Sequence, residues 1–363
     1  MDYVTSRASA PEDDRHAWAR PAVEDLGGGL YRLPLPLPGD ALTAVNVYAM
    51  VRDDGVDLID AGMAIAPARE RLTEALGQLG YGLPDIRNFF ITHIHQDHYT
   101  LAVELRTTLR GQITLGAEER ANMAAIRDVA AGRAEVGFIG MLPAMGAADL
   151  AAQVHGILGP RLADPRPRLQ WSDPDCWIAD GALIDLPGRT LRAIHTPGHT
   201  SGHVVFYDEA AATLFAGDHV LPHITPSIGF QPVITRLALD QYLASLRLML
   251  TLPDARLLPA HGPVQASTHV RVRQLLEHHE TRLAQTLAAA SGAPVTAFEV
   301  AGVLPWTRRQ RRLADLDPMN QLLATGETAA HLEVLMVRGQ LARTRSPEGI
   351  DFYRVPSAAV TAR

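Results

Sequence analysis

The sequence predicts an α/β protein made of a large sheet-and-helix domain followed by a smaller, mainly helical domain. Short apolar strands alternate with helical patterns as far as about residue 260, which is typical of layered α/β folds. Polar residues able to bind metal ions follow several of these strands, and the composition changes after Gly262. With 47% apolar and 20% charged residues, the 363-residue chain can bury a large core, so wholesale disorder is excluded.

The first third of the chain contains the predicted strands of one sheet. Residues 1–20 are polar and predict a flexible N-terminal arm. Apolar runs predict strands at Leu30–Leu37, Thr43–Val51, Val56–Ile59, Ile86–Thr92 and Gln112–Leu115. Apolar residues at helical spacing predict helices at Ala66–Leu79 and Leu101–Leu109. In such an alternation, the loops after the strands gather at one edge of the sheet.

The middle of the chain begins with a segment of different composition. Residues 117–170 are rich in Ala, Gly and Met and predict an apolar, lid-like crossover with one or two helices. Its large apolar side chains either line a pocket for an acyl chain or ring or pack on the sheet; they are Phe138, Ile139, Met141, Leu142 and Met145. Strands resume at Ala182–Leu186, Thr190–His195, His203–Tyr207 and Thr213–Ala216. A helix at Leu237–Leu250 and a strand at Arg256–Pro259 complete a domain predicted to span residues 21–263.

The last hundred residues predict a second domain, residues 264–363. A long amphipathic pattern predicts a helix at 267–291. Short helices and a two-stranded hairpin are predicted between residues 294 and 355.

Composition excludes several kinds of chemistry. All 33 basic residues are arginine, which excludes a lysine nucleophile, a Schiff-base lysine and a P-loop. The single cysteine, Cys176, excludes a disulfide framework, a thiolate zinc finger and an iron–sulfur cluster. The net charge of −7 leaves only local patches for binding a polyanion. Because the sequence shows neither a signal-peptide pattern nor a run long enough to span a membrane, it predicts a cytoplasmic protein without membrane contact.

The segment Thr92–His98 is the strongest chemical motif. It reads Thr-His-Ile-His-Gln-Asp-His directly after an apolar strand, so four side chains of metal-ligand type fall within six residues. Residues two apart in an extended segment point the same way, which lets His93 and His95 hold one ion together. Asp97 and His98, on the turn that follows, can face a second ion. Imidazole and carboxylate without thiolate suit zinc, manganese or iron.

Three more residues of metal-ligand type each follow a predicted strand. They are His199 in Thr-Pro-Gly-His, Asp218 in Ala-Gly-Asp-His and His261 in Pro-Ala-His-Gly. One histidine after a strand is weak evidence, since such a residue more often belongs to a turn. Strand-end loops converge in α/β folds, so the whole set predicts one shared site.

These motifs together resemble the signature of the metallo-β-lactamase superfold, which is His-x-His-x-Asp-His, then Gly-His, Gly-Asp and a late His-Gly. The resemblance covers about residues 25–263 and implies an αβ/βα sandwich with two metal ions at one sheet edge. The implied ligands of the first ion are His93, His95 and His199. Those of the second are Asp97, His98 and His261, with Asp218 bridging the two ions.

Further residues are expected around these implied ligands. Asp60, in Leu-Ile-Asp-Ala-Gly, would orient a ligand histidine and set its tautomer, and His219 is expected in the same surrounding layer. Tyr99, His219 and His223 are candidates to donate a hydrogen bond to an oxyanion, although each also fits a packed loop residue. The predicted catalytic set is therefore Asp97, His223 and Tyr99.

The implied cofactors are two divalent metal ions, with Zn²⁺ as the first choice and Mn²⁺ or Fe²⁺ as alternatives. Two ions that share a water lower its pKa from about 15.7 to about 7, and the resulting hydroxide attacks a carbonyl or phosphoryl centre. Asp97 is placed to pass a proton to the leaving group. The predicted function is a two-metal-ion hydrolase that acts on the thioester, ester or lactone of a small, partly apolar acyl substrate.

Ligand identity narrows the choice among subfamilies of the superfold. The common two-zinc β-lactamases place a cysteine where Asp218 stands here, so antibiotic hydrolysis is not the expected main role. Persulfide dioxygenases use one iron and fewer ligands and remain a minor option. The seven-ligand set is similar to that of glyoxalase II, the quorum-signal lactonases and the zinc-dependent nucleases. The absence of lysine argues against glutathione as the carrier.

The C-terminal domain is similar to the small winged-helix module of a glyoxalase-II-like branch that includes β-lactamase-like protein 2. This likeness leaves open a metal-dependent nuclease or phosphodiesterase that uses the module to bind nucleic acid. The cationic residues for that role are Arg308, Arg309, Arg311 and Arg312, which equally fit a solvated helix face. A non-enzymatic regulatory module is a third alternative, and a homodimer is compatible with this branch.

Overall fold

The computed structural model describes residues 14–38, 42–133, 137–163, 171–307 and 309–356. The predicted N-terminal arm is therefore described only from residue 14, where Asp14–Ala19 forms a short 3-10 helix. Arg32 Nη1 donates a hydrogen bond to the carbonyl of Trp18 at 2.8 Å, which holds this helix against the first sheet. Arg308, one of the four predicted cationic residues, lies outside the described residues.

The first sheet is built by the strands that the apolar runs predict, with one strand added at each edge. Within the described residues, its order is β1 (Glu24–Gly27), β2 (Leu30–Pro36), β3 (Ala44–Arg52), β4 (Gly55–Ile59), β5 (Ile86–Phe90), β6 (Gln112–Gly116) and β7 (Cys176–Ile178). Neighbours pair antiparallel from β1 to β4 and parallel from β4 to β7. The two edge strands, β1 and β7, are too short to give a clear apolar pattern, so the sequence did not predict them.

The second sheet contains β8 (Leu183–Leu186), β9 (Arg189–His195), β10 (Val204–Asp208), β11 (Thr213–Gly217) and β12 (Arg256–Pro259). Its order is β12-β11-β10-β9-β8, with the pair β11 and β12 parallel and the other pairs antiparallel. Consecutive residues of β10 face opposite sides, since Phe206 packs toward the first sheet and Val205 and Tyr207 pack toward helices. This strand is buried on both faces, so the second sheet is an inner layer.

The described residues form nine α-helices, some of which cover the outer faces of the two sheets. Their bounds are α1 (Ala66–Gln78), α2 (Gln96–Arg106), α3 (Arg120–Ala130), α4 (Gly137–Gly140), α5 (Ala148–Ala163), α6 (Ala238–Met249), α7 (Thr268–Ala289), α8 (Ala297–Val303) and α9 (Pro318–Val337). Side chains of α1 and α2 pack on the outer face of the first sheet, and those of α6 and α7 pack on the second. A third apolar cluster fills the space between the sheets. These layers confirm the predicted αβ/βα sandwich.

Helix α2 begins earlier than its apolar pattern indicates. The prediction starts the helix at Leu101, whereas the structure starts it at Gln96, directly after His95. Asp97 and His98 therefore lie in the first helical turn rather than on an irregular turn. The regular backbone of the helix sets the directions of both side chains more rigidly than a loop would.

The C-terminal part of the chain contains α7 to α9 and a hairpin of β13 (Ala342–Arg345) and β14 (Asp351–Arg354). The backbone of Val295 pairs with that of Tyr353, which ties the segment before α8 to the hairpin. Thr296 caps α8 by accepting a hydrogen bond from the Glu299 amide, and the Glu299 carboxylate accepts one from the Thr296 amide. The winged-helix interpretation of this part stays a prediction.

The lid-like crossover packs on the C-terminal helices. Ile139 and Leu142 are buried in one apolar cluster with Leu150, Val154 and Leu322, the last of which belongs to α9. This cluster anchors α4 and α5 to the C-terminal part of the chain. Among the described residues, no helix is long and apolar enough to cross a membrane.

One buried amide, that of Asn46 on β3, joins the two sheets at their common edge. Its Nδ2 donates to the carbonyls of Pro259 at 2.9 Å and Gly262 at 2.8 Å, and its Oδ1 accepts from Arg32 at 2.9 Å. The two carbonyls flank His261, a predicted metal ligand. Asn46 therefore fixes the backbone that carries this histidine.

We expect Asn46→Ala to lower the free energy of unfolding by about 1–3 kcal/mol, because the Gly262 carbonyl loses its donor while the Pro259 carbonyl and the Arg32 guanidinium each lose one of several partners. Urea unfolding followed by circular dichroism measures the change. Asn88→Ala is the control, since the Asn88 amide donates one hydrogen bond to Asp57 outside this edge. An Asn46 effect no larger than that of Asn88→Ala would contradict the role given to this amide.

Candidate metal centre and active site

Seven histidine and aspartate side chains converge where the two sheets meet. One group contains His93, His95, His199 and Asp218, and a second contains Asp97, His98 and His261. Within each group, one ligand atom of every residue lies within 4.8 Å of one ligand atom of every other. These are the seven ligands predicted from the sequence, and the structure brings all of them together. A cluster of this composition is able to bind metal ions.

In the first group, three imidazole nitrogens face one another at short range. His93 Nε2 lies 2.9 Å from His95 Nδ1 and 3.1 Å from His199 Nε2, and the latter two nitrogens are 3.0 Å apart. Asp218 Oδ2 lies 3.4 Å from His199 Nε2. Three nitrogens and one carboxylate oxygen thus surround one point, as a tetrahedral metal site requires.

In the second group, the same aspartate presents its other oxygen. Asp218 Oδ1 lies 3.3 Å from His261 Nε2 and 3.7 Å from His98 Nε2. Asp97 Oδ2 lies 3.4 Å from His261 Nε2 and 3.5 Å from His98 Nε2. One carboxylate group, that of Asp218, therefore borders both groups.

The outward-facing nitrogen of four ligand histidines donates to a fixed acceptor. The bonds run from His95 Nε2 to the Phe230 carbonyl (2.8 Å), from His199 Nδ1 to the Ser227 carbonyl (2.6 Å), from His261 Nδ1 to the Ala44 carbonyl (2.8 Å) and from His98 Nδ1 to Asp60 Oδ2 (2.8 Å). Carbonyl and carboxylate oxygens only accept, so these nitrogens carry the protons. When each ring is neutral, its other nitrogen carries a lone pair that points into the cluster.

Buried polar atoms without partners show that this cluster fits metal ions. Among the described residues, His98 Nε2, His261 Nε2 and Asp218 Oδ1 are buried and have no hydrogen-bond partner. Each such atom costs about 1–3 kcal/mol when it stays unsatisfied. Two of them belong to the second group, and Asp218 Oδ1 faces both of these at 3.3 and 3.7 Å. A divalent cation would satisfy them together.

Burial and mutual charge set the protonation of the cluster. Burial, together with the neighbouring imidazoles, lowers the pKa of His93 and lowers that of His199 to about 4. Burial acts to raise the pKa of Asp97, but the adjacent His98 and His261 outweigh it and lower that pKa. The His98 pKa is raised to about 10, because the carboxylates beside it outweigh burial. His93 and His199 are therefore neutral at neutral pH.

Asp60 combines an unusual backbone conformation with a structural role beside the ligands. Its φ of 59° lies in the left-handed region, which aspartate tolerates better than most residues. Its Oδ1 accepts from the Thr92 amide at 2.8 Å while Oδ2 accepts from His98. One carboxylate thus ties β4 both to the start of the His93 segment and to a ligand ring.

Gly217, just before Asp218, lets three segments meet closely. A Cβ at this position would lie 2.7 Å from both Thr92 Cβ and His203 Nε2, and its φ is 49°. His203 Nε2 accepts a hydrogen bond from the Asp218 amide at 3.2 Å. A larger residue here would separate these groups, so glycine is required to place Asp218.

Comparison with known families decides the class of this fold. The sequence model described as Metallo-beta-lactamase superfamily matches residues 40–261, which is more than half of the chain. The chain belongs to the metallo-β-lactamase superfamily. The model described as Metallo-beta-lactamase-like, C-terminal domain matches residues 283–356 of this superfamily member.

Curated relatives of this superfamily member include fungal proteins. The lactamase-like protein aptB of Emericella nidulans is 36% identical over 143 residues, which are 39% of this chain and 42% of that protein. An atrochrysone carboxyl ACP thioesterase of Aspergillus fumigatus is 32% identical over 112 residues, which are 31% of this chain and 33% of that enzyme. The matched segments thus span less than half of these relatives.

Solved structures resemble a much larger part of the chain. A metallo-beta-lactamase family protein from Thermus thermophilus shares 28% identity with a TM-score of 0.70, covering 92% of this chain and 100% of that one. A beta-lactamase domain protein from Burkholderia ambifaria has a TM-score of 0.74 at 23% identity, covering 92% and 94% of the two chains. The latter likeness concerns the fold alone.

Two residues of the predicted catalytic set, Tyr99 and His223, lie away from the cluster of seven ligand side chains. Tyr99 is fully buried, and its hydroxyl donates to the Ser172 carbonyl at 2.7 Å. His223 is exposed and lines a cavity of about 710 Å³ with Arg271 and His278. The structure therefore brings neither Tyr99 nor His223 to the ligand atoms.

His219 is near the cluster but does not contact a ligand ring. It is buried between Tyr242 and His203, with ring centroids 5.4 and 6.1 Å away. The Tyr242 hydroxyl donates to the His219 carbonyl at 3.0 Å. Its place is therefore in the packing behind Asp218, one layer away from the ligand atoms.

A buried carboxylate, that of Glu119, holds two ligand loops together. The sequence patterns did not predict this role. It accepts hydrogen bonds from Thr200 Oγ1 at 2.5 Å, from Asn122 Nδ2 at 2.6 Å and from the Ile94 amide at 3.4 Å. Burial raises the pKa of Glu119 against these hydrogen bonds. Only its position after a strand, β6, could have indicated it, because its neighbours in sequence form no motif.

An apolar cavity of about 400 Å³ lies beside the candidate metal centre. Ser227 and Phe230 line it, and their carbonyls are the ones that hold His199 and His95. The Phe230 ring packs against Phe138 of the lid-like crossover at 4.5 Å and lies 6.3 Å from the His95 ring. The loop 227–230 thus separates the cavity from the ligands by a single layer.

The lid-like crossover lines this cavity with only part of the predicted set. Phe138, Met141 and Met145 line it, as the sequence predicted for one of its two alternatives. Ile139 and Leu142 instead belong to the buried cluster with α9, which is a correction to the predicted pocket.

We expect Asp60→Asn to weaken metal binding about 10- to 100-fold, because the carboxylate that holds His98 Nδ1 is lost. Competition with a chromophoric chelator measures the affinity. Asp57→Asn is the matched control, since Asp57 is an equally buried carboxylate, on β4 just before Asp60, that contacts Asn88 and Arg52. Equal affinities of the two variants would show that Asp60 does not orient the ligand.

Proposed function

We propose that this chain uses two divalent metal ions to hydrolyse the thioester, ester or lactone of a partly apolar acyl substrate. Membership of the superfamily supports a metal-dependent hydrolase. The hydrolytic activity, the number of ions, their identity and the substrate class are all part of the proposal. The observation that carries it is the Asp218 carboxylate, whose two oxygens face two separate groups of ligand atoms.

Zn²⁺ is the proposed ion, with Mn²⁺ and Fe²⁺ as alternatives. The first group offers three imidazole nitrogens and one carboxylate oxygen, and the second offers two of each with Asp218 counted in both. Four nitrogen and oxygen donors around one point suit zinc. Two ions held here would supply a hydroxide at neutral pH and polarise the carbonyl oxygen of the substrate.

The protein residues prepare the site for that chemistry. Acceptors fixed in the backbone set the ring orientation of His95, His199 and His261, so little reorganisation is needed when substrate binds. Asp97 is more exposed than Asp218, with 16% of its side chain accessible against 9%. Its carboxylate is therefore placed to take the proton released by the attacking water and to return it to the leaving sulfur or oxygen.

The acyl part of the proposal rests on the cavity beside the centre. Ligand pockets are mostly apolar and hold several hundred Å³, and this cavity combines about 400 Å³ with the rings of Phe138 and Phe230. The relative in Aspergillus fumigatus is named a thioesterase, which supports a thioester as the bond cleaved. An apolar acyl group in the cavity would contact the far side of the loop whose carbonyls hold His95 and His199, one layer from the ligand atoms.

Activity of the zinc-loaded chain on a small panel tests the proposal. The panel contains an acyl thioester, an acyl-homoserine lactone, an aryl ester, a phosphodiester and single-stranded RNA. We expect carbonyl hydrolysis, with kcat reduced about 10²- to 10⁴-fold in Asp97→Ala because proton transfer is lost along with a ligand. Asp149→Ala, which removes an exposed carboxylate of α5, is expected to leave kcat unchanged.

Two results would overturn this proposal. Cleavage of RNA alone would favour the nuclease alternative and make the exposed residues Arg309, Arg311 and Arg312 the next to be changed. Equal activity of Asp97→Ala and Asp149→Ala on every carbonyl substrate would remove Asp97 from the chemistry.

A further inference from the structure

The cavity beside the metal centre has a second wall, which the C-terminal part of the chain supplies. Leu322, Gly326 and Ala330 of α9 line it, as do Asp351 and Tyr353 of β14. The catalytic domain alone therefore does not close this cavity. Any group that occupies it touches both the loop at the metal centre and the C-terminal domain.

Asp351 contributes a buried acceptor to this wall. Its side chain pairs with Arg236, whose Nη1 and Nη2 lie 3.2 and 3.3 Å from Asp351 Oδ2. Its other oxygen, Oδ1, is buried and has no hydrogen-bond partner among the described residues. The Arg345 Nη1 atom, at 3.7 Å from Oδ1, is beyond hydrogen-bond distance. An unsatisfied carboxylate oxygen at a cavity wall is a position for a donor from a ligand.

The neighbouring carboxylate, Glu333, provides an internal comparison. It lines the same cavity, but its Oε1 accepts from Arg236, Arg343 and the Tyr353 hydroxyl at 3.1, 2.6 and 2.9 Å. Glu333 Oε1 thus takes three donors from the protein itself, in contrast with Asp351 Oδ1. Among the described carboxylates that line this cavity, Asp351 has the buried oxygen without a hydrogen-bond partner.

Gly326 leaves space in the same wall. It lies within α9, where glycine costs about 1 kcal/mol relative to alanine, and its backbone does not need a positive φ. A Cβ built on it meets no described atom within 4 Å. The helix therefore accepts a side chain at this position without a clash, and its absence enlarges the cavity. A cavity of ~150 Å³ holds one benzene ring, so about 400 Å³ holds roughly two fused rings.

We propose that the C-terminal domain selects the acyl group, with Gly326 admitting a bicyclic body and Asp351 Oδ1 accepting a hydrogen bond from a hydroxyl or N–H group on it. The substrate class is then a hydroxylated or amino-substituted cyclic acyl thioester or ester. That the bound acyl group is hydrolysed rests on the proposed function, whereas the binding preference of the cavity does not. The C-terminal domain acts as part of the specificity pocket.

Binding of two neutral ketones that cannot be hydrolysed tests the pocket separately from catalysis. The probes are 2-acetylnaphthalene and 6-hydroxy-2-acetylnaphthalene, which differ by one hydroxyl, and calorimetry measures their affinities for the full chain without added metal. We expect the hydroxylated probe to bind about tenfold more tightly. In Asp351→Ala this preference disappears, while Asp149→Ala, which removes an exposed carboxylate elsewhere, retains it. Equal binding of both probes to the wild-type chain would overturn the assignment of Asp351.

A second variant keeps the proposal testable should Asp351→Ala lose its fold with the Arg236 pair. Gly326→Leu fills the wall, so we expect both probes to bind at least tenfold more weakly than to the wild-type chain. Gly77→Leu is the matched control, because Gly77 lies on an exposed face of α1 and its Cβ also meets no described atom within 4 Å. Wild-type affinity of Gly326→Leu for both probes would show that the cavity is not the binding site.

Hydrolysis by the zinc-loaded chain separates this inference from the proposed function. For thioesters with matched leaving groups, Gly326→Leu should shift the kcat/KM ratio of naphthoyl over acetyl at least tenfold toward acetyl. Selective binding of the ketones without any thioester hydrolysis would overturn the proposed function and uphold the pocket. Hydrolysis of the thioesters without selective ketone binding would uphold the proposed function and overturn the pocket.

Discussion

The carboxylate of Asp218 is the interaction on which the centre depends. Its two oxygens face two groups of ligand atoms that come from both sheets, so the groups can act together only while this side chain stays between them. Gly217 permits the close approach that this position needs, and His203 accepts from the Asp218 amide. Asn46 fixes the neighbouring loop from the opposite sheet. The αβ/βα sandwich thus serves to bring one carboxylate to the meeting point of two sheets.

The same edge also connects the centre to the rest of the chain. The loop 227–230 holds two ligand histidines through its carbonyls and lines the apolar cavity with its side chains. The lid-like crossover covers the cavity from one side through Phe138, and α9 lines it as well. Orientation of the ligands and the shape of the cavity therefore depend on one short loop. A group in the cavity that shifts this loop would also shift the His95 and His199 rings, because the loop carbonyls accept hydrogen bonds from them at 2.8 and 2.6 Å.

The sequence predicted the parts of this arrangement that follow from local pattern. Each of the seven ligand residues directly follows a strand or lies in a dense motif, so strand-end convergence was enough to group them. Asp60 stands at 2.8 Å from His98, where the resemblance implied an orienting carboxylate. Glu119 was not predicted because its partners, Thr200 and Asn122, are distant in sequence or unremarkable in type. Tyr99 was assigned from its proximity in sequence, but the helix that begins at Gln96 turns its ring into the core. The role of α9 in the cavity depends on packing between two domains, which no local pattern encodes.

Metal content per chain tests the two-ion centre most directly. After equilibrium dialysis against micromolar Zn²⁺, elemental analysis should find two ions per wild-type chain. It should find one in His98→Ala, since the first group keeps its three imidazoles and Asp218. Asp218→Ala should hold fewer ions than His98→Ala, because both groups lose an oxygen. One ion per wild-type chain, or two ions retained in His98→Ala, would contradict a centre in which Asp218 joins two metal sites.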